Sequence, residues 1–242
     1  MRRGFQEPAD KPRRFYKAVS VEPVADGFEV RLDARTVRTP KGGRLALPTR
    51  ALADQVAEEW ASQGETLEVA AMHVTRLANT ALEAIPAARH ETAVQVAQYA
   101  GSDLVCYFAE GPSELVERQG VAWNPVLEWV EVELGARLVR VSGIIHQSQP
   151  SETLEAIEAL ARSLDDFRLA ALAFGSALFG STVLALAVLK GRLSGEEAFA
   201  LSRIDESFQE EKWGVDAEAA ERTERLRVEA AMLERWFRAL ER

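Results

Sequence analysis

Arg44-Leu45-Ala46-Leu47-Pro48-Thr49 leads into Leu52, Val56 and Trp60, and across residues 44–60 the spacing of the apolar side chains changes. Up to Leu47 apolar and polar residues alternate, the period of a half-buried strand. After Pro48 they recur at helical spacing, the period of one helix face. Thr49 stands where its hydroxyl can accept an orphan N–H of a first helical turn, and the helix so predicted ends near Gly64. This switch gives an α+β fold: a small antiparallel β-rich N-terminal domain followed by a larger helical domain.

On the N-terminal side of the switch, Val19 and Val21 alternate with polar neighbours. Asp26-Gly27 then supplies a hairpin turn before Phe28, Val30 and Leu32. A second pair, Thr36-Val37-Arg38 and Arg44 to Leu47, flanks Lys41-Gly42-Gly43. Two consecutive hairpins imply a small sheet, with Arg31, Arg35, Arg38 and Arg44 leaving part of one face wet and positive. Residues 1–14 read as a disordered polar tail, 15–75 as the β-rich domain and 76–242 as the helical domain. The boundary region spans residues 64–86.

On the C-terminal side, residues 72–85 read as a helix stopped before Pro86, and residues 87–99 as another. Pro112 and Pro125 are expected in first turns, with Asn124 capping the second and Trp123, Leu127, Val130 and Leu134 forming a stripe. Residues 136–145 read as a short strand or an irregular connector. Residues 151–164 are amphipathic on Leu154, Ile157, Leu160 and Leu164. Residues 218–240 form a long charged helix with Leu226, Leu233, Trp236 and Leu240 on one side.

Residues 169–189 carry no charge and are long enough to span a bilayer. Six of them are alanine, and Gly175, Ser176, Gly180, Ser181 and Thr182 interrupt the run. The expected structure is a buried core, split into two helices near Gly180-Ser181, where small residues let helices approach closely. No stable membrane insertion is expected.

Composition narrows the function classes. The 242 residues are 47% hydrophobic and 28% charged, as in a folded globular protein. The formal net charge of −9 offers no footprint for nucleic acid. Residues 1–50 hold 12 Lys and Arg against 6 Asp and Glu, leaving 17 against 32 in the remainder. A basic front and an acidic body suit two units with different surfaces. The single cysteine, Cys106, lies in Leu104-Val105-Cys106-Tyr107-Phe108 and reads as a small core residue in a reducing compartment. The N-terminal arginines lack a following apolar stretch, so no secretory signal is expected. Glu7, Asp10 and two prolines fit a mitochondrial presequence badly. The expected location is the bacterial cytoplasm, or the mitochondrial matrix in a eukaryote.

A search for chemistry returns little. His73, His90 and His146 show no metal-binding spacing, and neither a phosphate-cradling glycine loop nor a nucleophile elbow is present. A Cys106–His146 nucleophile pair exists by residue type alone, but apolar surroundings would raise the thiol pKa and make it inert. No metal and no cofactor are expected.

The densest polar feature is Asp205-Glu206-Ser207-Phe208-Gln209-Glu210-Glu211-Lys212-Trp213-Gly214. Ser194 and Glu197 form a capping box that sets the helical phase. Leu201, Ile204 and Phe208 then line a buried stripe, with Asp205 at its edge and Glu206 and Glu210 one turn apart beside it. Such carboxylates could serve a carboxylate-dependent hydrolase built on Asp205, Glu206 and Glu210. They could equally form a solvated face, or a patch for a partner protein anchored by Trp213.

Three blocks carry a resemblance. The first is Leu52, Glu58-Glu59-Trp60 and Gln63, followed by Met72, Thr75-Arg76-Leu77 and Asn79-Thr80-Ala81. The second is Asp103-Leu104-Val105-Cys106-Tyr107 with Pro112, Leu115, Gln119, Trp123, Pro125 and Leu127. The third is Ala198, Leu201, Asp205-Glu206-Ser207-Phe208-Gln209 and Trp213-Gly214. In this order they resemble the ATP synthase F1 α-subunit assembly chaperones, over nearly the whole chain after residue 14. The sequence departs from the family pattern with His73 after Met72 and with Phe108 after Tyr107. The resemblance implies a β domain followed by a helical domain, and a non-catalytic role. It implies binding of the unassembled F1 α subunit to prevent its aggregation. The free chain is expected to be monomeric. It also places the partner-binding patch on Glu206 first, with Asp205, Phe208, Glu210 and Trp213 beside it.

Overall fold

Val19–Val24 (β1) turns through Ala25-Asp26 into Gly27–Leu32 (β2), with Val24 opposite Gly27 and Val19 opposite Leu32. Arg35–Thr36 (β3) and Ala46–Leu47 (β4) both pair antiparallel with β2, completing one small sheet. Gly27 is required here. Its φ is +142°, and a Cβ on it would lie 2.2 Å from the Leu47 carbonyl oxygen, so only glycine admits β4. Asp33, at φ 53°, folds its carboxylate back onto the Lys17 and Ala18 N–H groups. These backbone bonds hold the Asp33 carboxyl below its ordinary pKa.

The fold is a computed structural model describing residues 12–241. The chain divides into two compact units, one running to Asn79 and the other from Thr80 to Glu241. Most of the tail expected over residues 1–14 lies outside the described residues. Its end does not: Arg14 N–H donates to Glu65 C=O at 2.8 Å, and Pro12 C=O accepts from Leu67 N–H at 2.8 Å.

In the first unit Arg50–Ala61 (α1) packs on β1 and β2. Thr49 caps it as expected, its hydroxyl accepting the Leu52 N–H at 3.2 Å. Val30, Leu32, Leu45, Leu47, Leu52 and Val56 form the core. Glu59, lifted above its ordinary pKa by burial, accepts the Val74 and Thr75 N–H groups at 2.7 and 2.8 Å. It thereby caps the start of His73–Glu83 (α2), the helix in which the division between units falls.

In the second unit Ile85–Gly101 (α3) begins earlier than expected, with Pro86 inside its first turn and a kink at Ala88. Tyr107–Phe108 (β5) follows, then Ser113–Leu134 (α4). The expectation that Pro125 opens a helix capped by Asn124 is corrected: α4 runs straight through both. Pro125 is exposed, so the N–H it lacks costs the buried face nothing. Residues 136–145 are mostly irregular, with Val141–Ser142 (β6) pairing in parallel with β5.

Ser151–Ser163 (α5) packs on α3. The uncharged stretch splits as expected into Asp166–Phe179 (α6) and Thr182–Leu189 (α7), joined by left-handed Gly180 and by Ser181, which caps α7. No helix of the described residues is long and apolar enough to cross a membrane. Gly195–Ser202 (α8), Ile204–Trp213 (α9) and Ala217–Leu240 (α10) complete the unit.

Small residues set its packing. A Cβ on Gly175 would lie 2.7 Å from Leu233 Cδ2, and one on Gly195 would lie 2.0 Å from the Ala230 carbonyl oxygen. Gly195→Ala must therefore push α8 off the α10 backbone. It is expected to cost about 2 kcal/mol of stability, read by urea unfolding.

Asp103 gives a second test. It is fully buried and accepts the Val105 N–H at 3.3 Å and the Val183 N–H at 3.0 Å. Burial pushes its carboxyl up to about 6 from an ordinary 3.8, against the pull of these bonds. The folded chain thus keeps a proton that the unfolded chain has lost. The resulting stabilisation is full below pH about 4 and is lost as pH rises through about 6. The stability gap between the parent chain and Asp103→Asn should shrink over that window, as read by urea unfolding at each pH.

Candidate partner-binding site

The acidic run is not part of one long helix. At Arg203 (φ −120°, ψ 20°) α8 ends and α9 begins in a new direction. Ile204 and Phe208 are buried as expected, whereas Leu201 is only half-buried. At this break the Leu201 carbonyl accepts the indole N–H of buried Trp123 on α4 at 2.9 Å.

Three contacts seat α9 on α4. Phe208 meets two cations, the Arg118 guanidinium 5.3 Å and the Lys212 ammonium 5.1 Å from its ring centre. Arg118 donates twice to Glu211, at 2.7 and 3.0 Å, and holds that carboxyl below its ordinary pKa. Lys212 reaches Glu114 at 3.1 Å. These exposed pairs add little to stability, but they fix where α9 lies.

The five residues singled out from the sequence separate into two groups. Asp205, Phe208 and Glu210 are engaged within the fold. Asp205 accepts the Gln119 side-chain N–H at 2.5 Å, and the fully buried Gln119 accepts the Ala109 N–H through its oxygen at 2.7 Å. Glu210 accepts from Arg203 at 2.6 Å, and Arg203 also covers the Phe199 ring. Glu206 and Trp213 face water. Trp213 is 79% exposed, and Glu206 has no hydrogen bond or ion pair among the described residues. Both line an open cleft of about 300 Å³, together with Arg203, Gln209, Val215 and Arg222.

This arrangement offers poor material for a hydrolase. Asp205 and Glu210 are committed to an amide and a guanidinium, and Glu206 stands in an open cleft. Among the described residues no group of three His, Cys, Asp or Glu side chains could hold a metal ion. His146 bonds Tyr107 through Nδ1 at 2.9 Å, and His90 lies 3.9 Å from Glu158. Cys106 is fully buried, and burial pushes its thiol pKa up. What the cleft can do is take up a protein surface: an exposed indole supplies apolar area, and a free carboxylate supplies charge selectivity.

A family model described as ATP12 chaperone protein matches residues 13–131. The chain is 27% identical over 219 residues to "Protein atp12, mitochondrial" of Schizosaccharomyces pombe, covering 86% of this chain and 75% of that protein. Its fold matches the crystal structure of Atp12 from Paracoccus denitrificans with a TM-score of 0.88 and 39% identity, covering 95% of this chain and 99% of that one. The chain belongs to the ATP12 chaperone family. An aspartate-to-lysine mutant of P. denitrificans Atp12p matches equally well, with a TM-score of 0.88, 38% identity and coverage of 95% and 98%. The likeness to these ATP12 chaperones includes their α+β fold.

The sequence reading missed Gln119, Arg118, Arg203 and Arg222 as parts of this candidate site. Arg118 and Gln119 lie more than 80 residues from α9, so no local pattern could pair them with it. Arg203 had a visible signal, an opposite charge two turns ahead of Glu210.

Gln119→Leu leaves the Ala109 N–H and the Asp205 carboxylate without their partner. It is expected to cost about 2 kcal/mol by urea unfolding. Glu206→Gln, at an exposed position, should stay within about 0.5 kcal/mol of the parent.

Proposed function

We propose that this ATP12 chaperone assists assembly of the ATP synthase F1 sector by binding the unassembled α subunit through the α9–α10 cleft, so preventing its aggregation. One observation carries the choice of site. α9 is held by contacts that occupy Asp205, Glu210, Glu211 and Lys212, while Glu206 and Trp213 remain free at the same cleft. A surface whose neighbouring charges are satisfied internally, yet which displays an indole and an unpaired acid, is preorganised for a partner. An unassembled subunit exposes apolar interface that would otherwise aggregate, and covering it needs neither turnover nor a cofactor. We place the chaperone in the bacterial cytoplasm, or in the mitochondrial matrix in a eukaryote, and infer that it is monomeric when free.

The test is co-refolding with isolated F1 α subunit, followed by light scattering and size-exclusion elution. The parent chain should suppress scattering and co-elute with the subunit. Glu206→Lys should require at least about tenfold more chaperone for the same protection, with an unchanged thermal midpoint. Undiminished aggregation and separate peaks with the parent chain would overturn the reading. Loss of fold in Glu206→Lys would make the residue a structural carboxylate instead.

A further inference from the structure

The single most exposed large apolar side chain of the described residues is not on α9. Ile144 is 96% exposed and its neighbour Ile145 is 78% exposed, at the tip of the loop that follows β6. Single exposed apolar residues are ordinary on a protein surface. Two adjacent isoleucines almost wholly in water are less so, because neither gains anything in the isolated chain.

The tip is also firmly footed. Gly143 N–H donates to Phe108 C=O at 2.8 Å, continuing the β5–β6 pairing. Gly143 takes φ +82°, and a Cβ there would press to 3.1 Å from the Glu110 carboxylate. On the far side, the His146 ring bonds the Tyr107 hydroxyl at 2.9 Å. The buried Gln149 amide then clamps the Val139 backbone, accepting its N–H at 2.7 Å and donating to its C=O at 3.0 Å. The loop therefore presents its two side chains from a fixed base. β-Branched side chains, stiff at χ1, lose little freedom on docking.

That base is tied to the α9 site. β5 takes the Gly143 N–H on Phe108. The next residue, Ala109, donates to Gln119, and Gln119 donates to Asp205, one residue before Glu206. Three hydrogen bonds thus connect the foot of the isoleucine tip to the helix that carries the free carboxylate.

We propose that Ile144 and Ile145 form a second, apolar anchor of the client-binding surface, inserting into an apolar depression on the same F1 α subunit that engages Glu206 and Trp213. This rests on the function proposed above and adds to it a division of labour. The α9 cleft supplies charge selectivity, and the isoleucine tip supplies apolar contact.

The test titrates refolding α subunit with four full-length chains: the parent, Ile144→Ser/Ile145→Ser, Ile144→Leu/Ile145→Leu and Glu206→Lys. Light scattering gives the concentration needed for half protection. The serine pair should raise that concentration at least about tenfold, and the leucine pair should stay within about twofold. Both pairs should keep the parent's thermal midpoint, since the tip is exposed. The serine defect should persist in high salt, where the effect of Glu206→Lys should fade. Protection by the serine pair equal to the parent's would overturn the anchor while leaving the function standing. If the parent sediments as a dimer that the serine pair dissolves, the tip belongs to a second copy of the chain and the proposal falls. If the parent itself gives no protection, the function falls and the anchor's client with it.

Discussion

The helical unit depends on what happens at the start of α7. Seven of the eight residues of α7 are buried, so its first-turn N–H groups have no water to turn to. Asp103 supplies the missing partner from inside the core, accepting the Val183 N–H, while Ser181 accepts the Leu184 N–H at 3.0 Å. Leu104 N–H closes the clasp on the Gly180 carbonyl at 3.1 Å. Thr182 extends it, donating to the Val96 carbonyl of α3 at 2.9 Å. Without this set of bonds the uncharged stretch would lose its reason to break at Gly180. A continuous helix could not place α6 and α7 side by side.

Once α6 and α7 are paired, the remaining helices have a surface to pack against. α3 and α10 both contact α6 and α7, and small residues at Gly175 and Ala185 keep the backbones near enough for Leu233 to fill the space between. α4 packs on α7 and in turn receives α9. The candidate site therefore stands at the outer end of a chain of contacts that begins with a buried carboxylate. Rigidity at the site is inherited, because α9 is itself short and makes its buried contacts through Ile204 and Phe208.

The site shows how one acidic run is divided between structure and surface. Neighbouring residues of like charge meet different fates: Asp205 turns to Gln119, Glu210 to Arg203 and Glu211 to Arg118, while Glu206 meets water. The break at Arg203 makes this division possible, since it fixes the rotation of α9 independently of α8. Trp213 follows from the same geometry. It is the last residue of α9, and Gly214, at φ +85°, turns the chain away before α10 begins.

Local patterns determined a good deal. The switch of period at Pro48, the Thr49 cap, the hairpin at Gly27 and the break at Gly180-Ser181 are all legible, because each rests on residues within a few positions of one another. The same holds for the capping box of Ser194 and Glu197, and for the acidic run itself. Pro125 was misread because a proline on the exposed side of a helix is tolerated, and which side is exposed is not a local property. Tertiary structure alone decided which carboxylate stays free, since Gln119 and Arg118 come to α9 from α4, more than 80 residues away in the chain. It also decided that Ile144 and Ile145 stand in water, because burial is settled by what packs on a residue and not by the residue's own hydrophobicity.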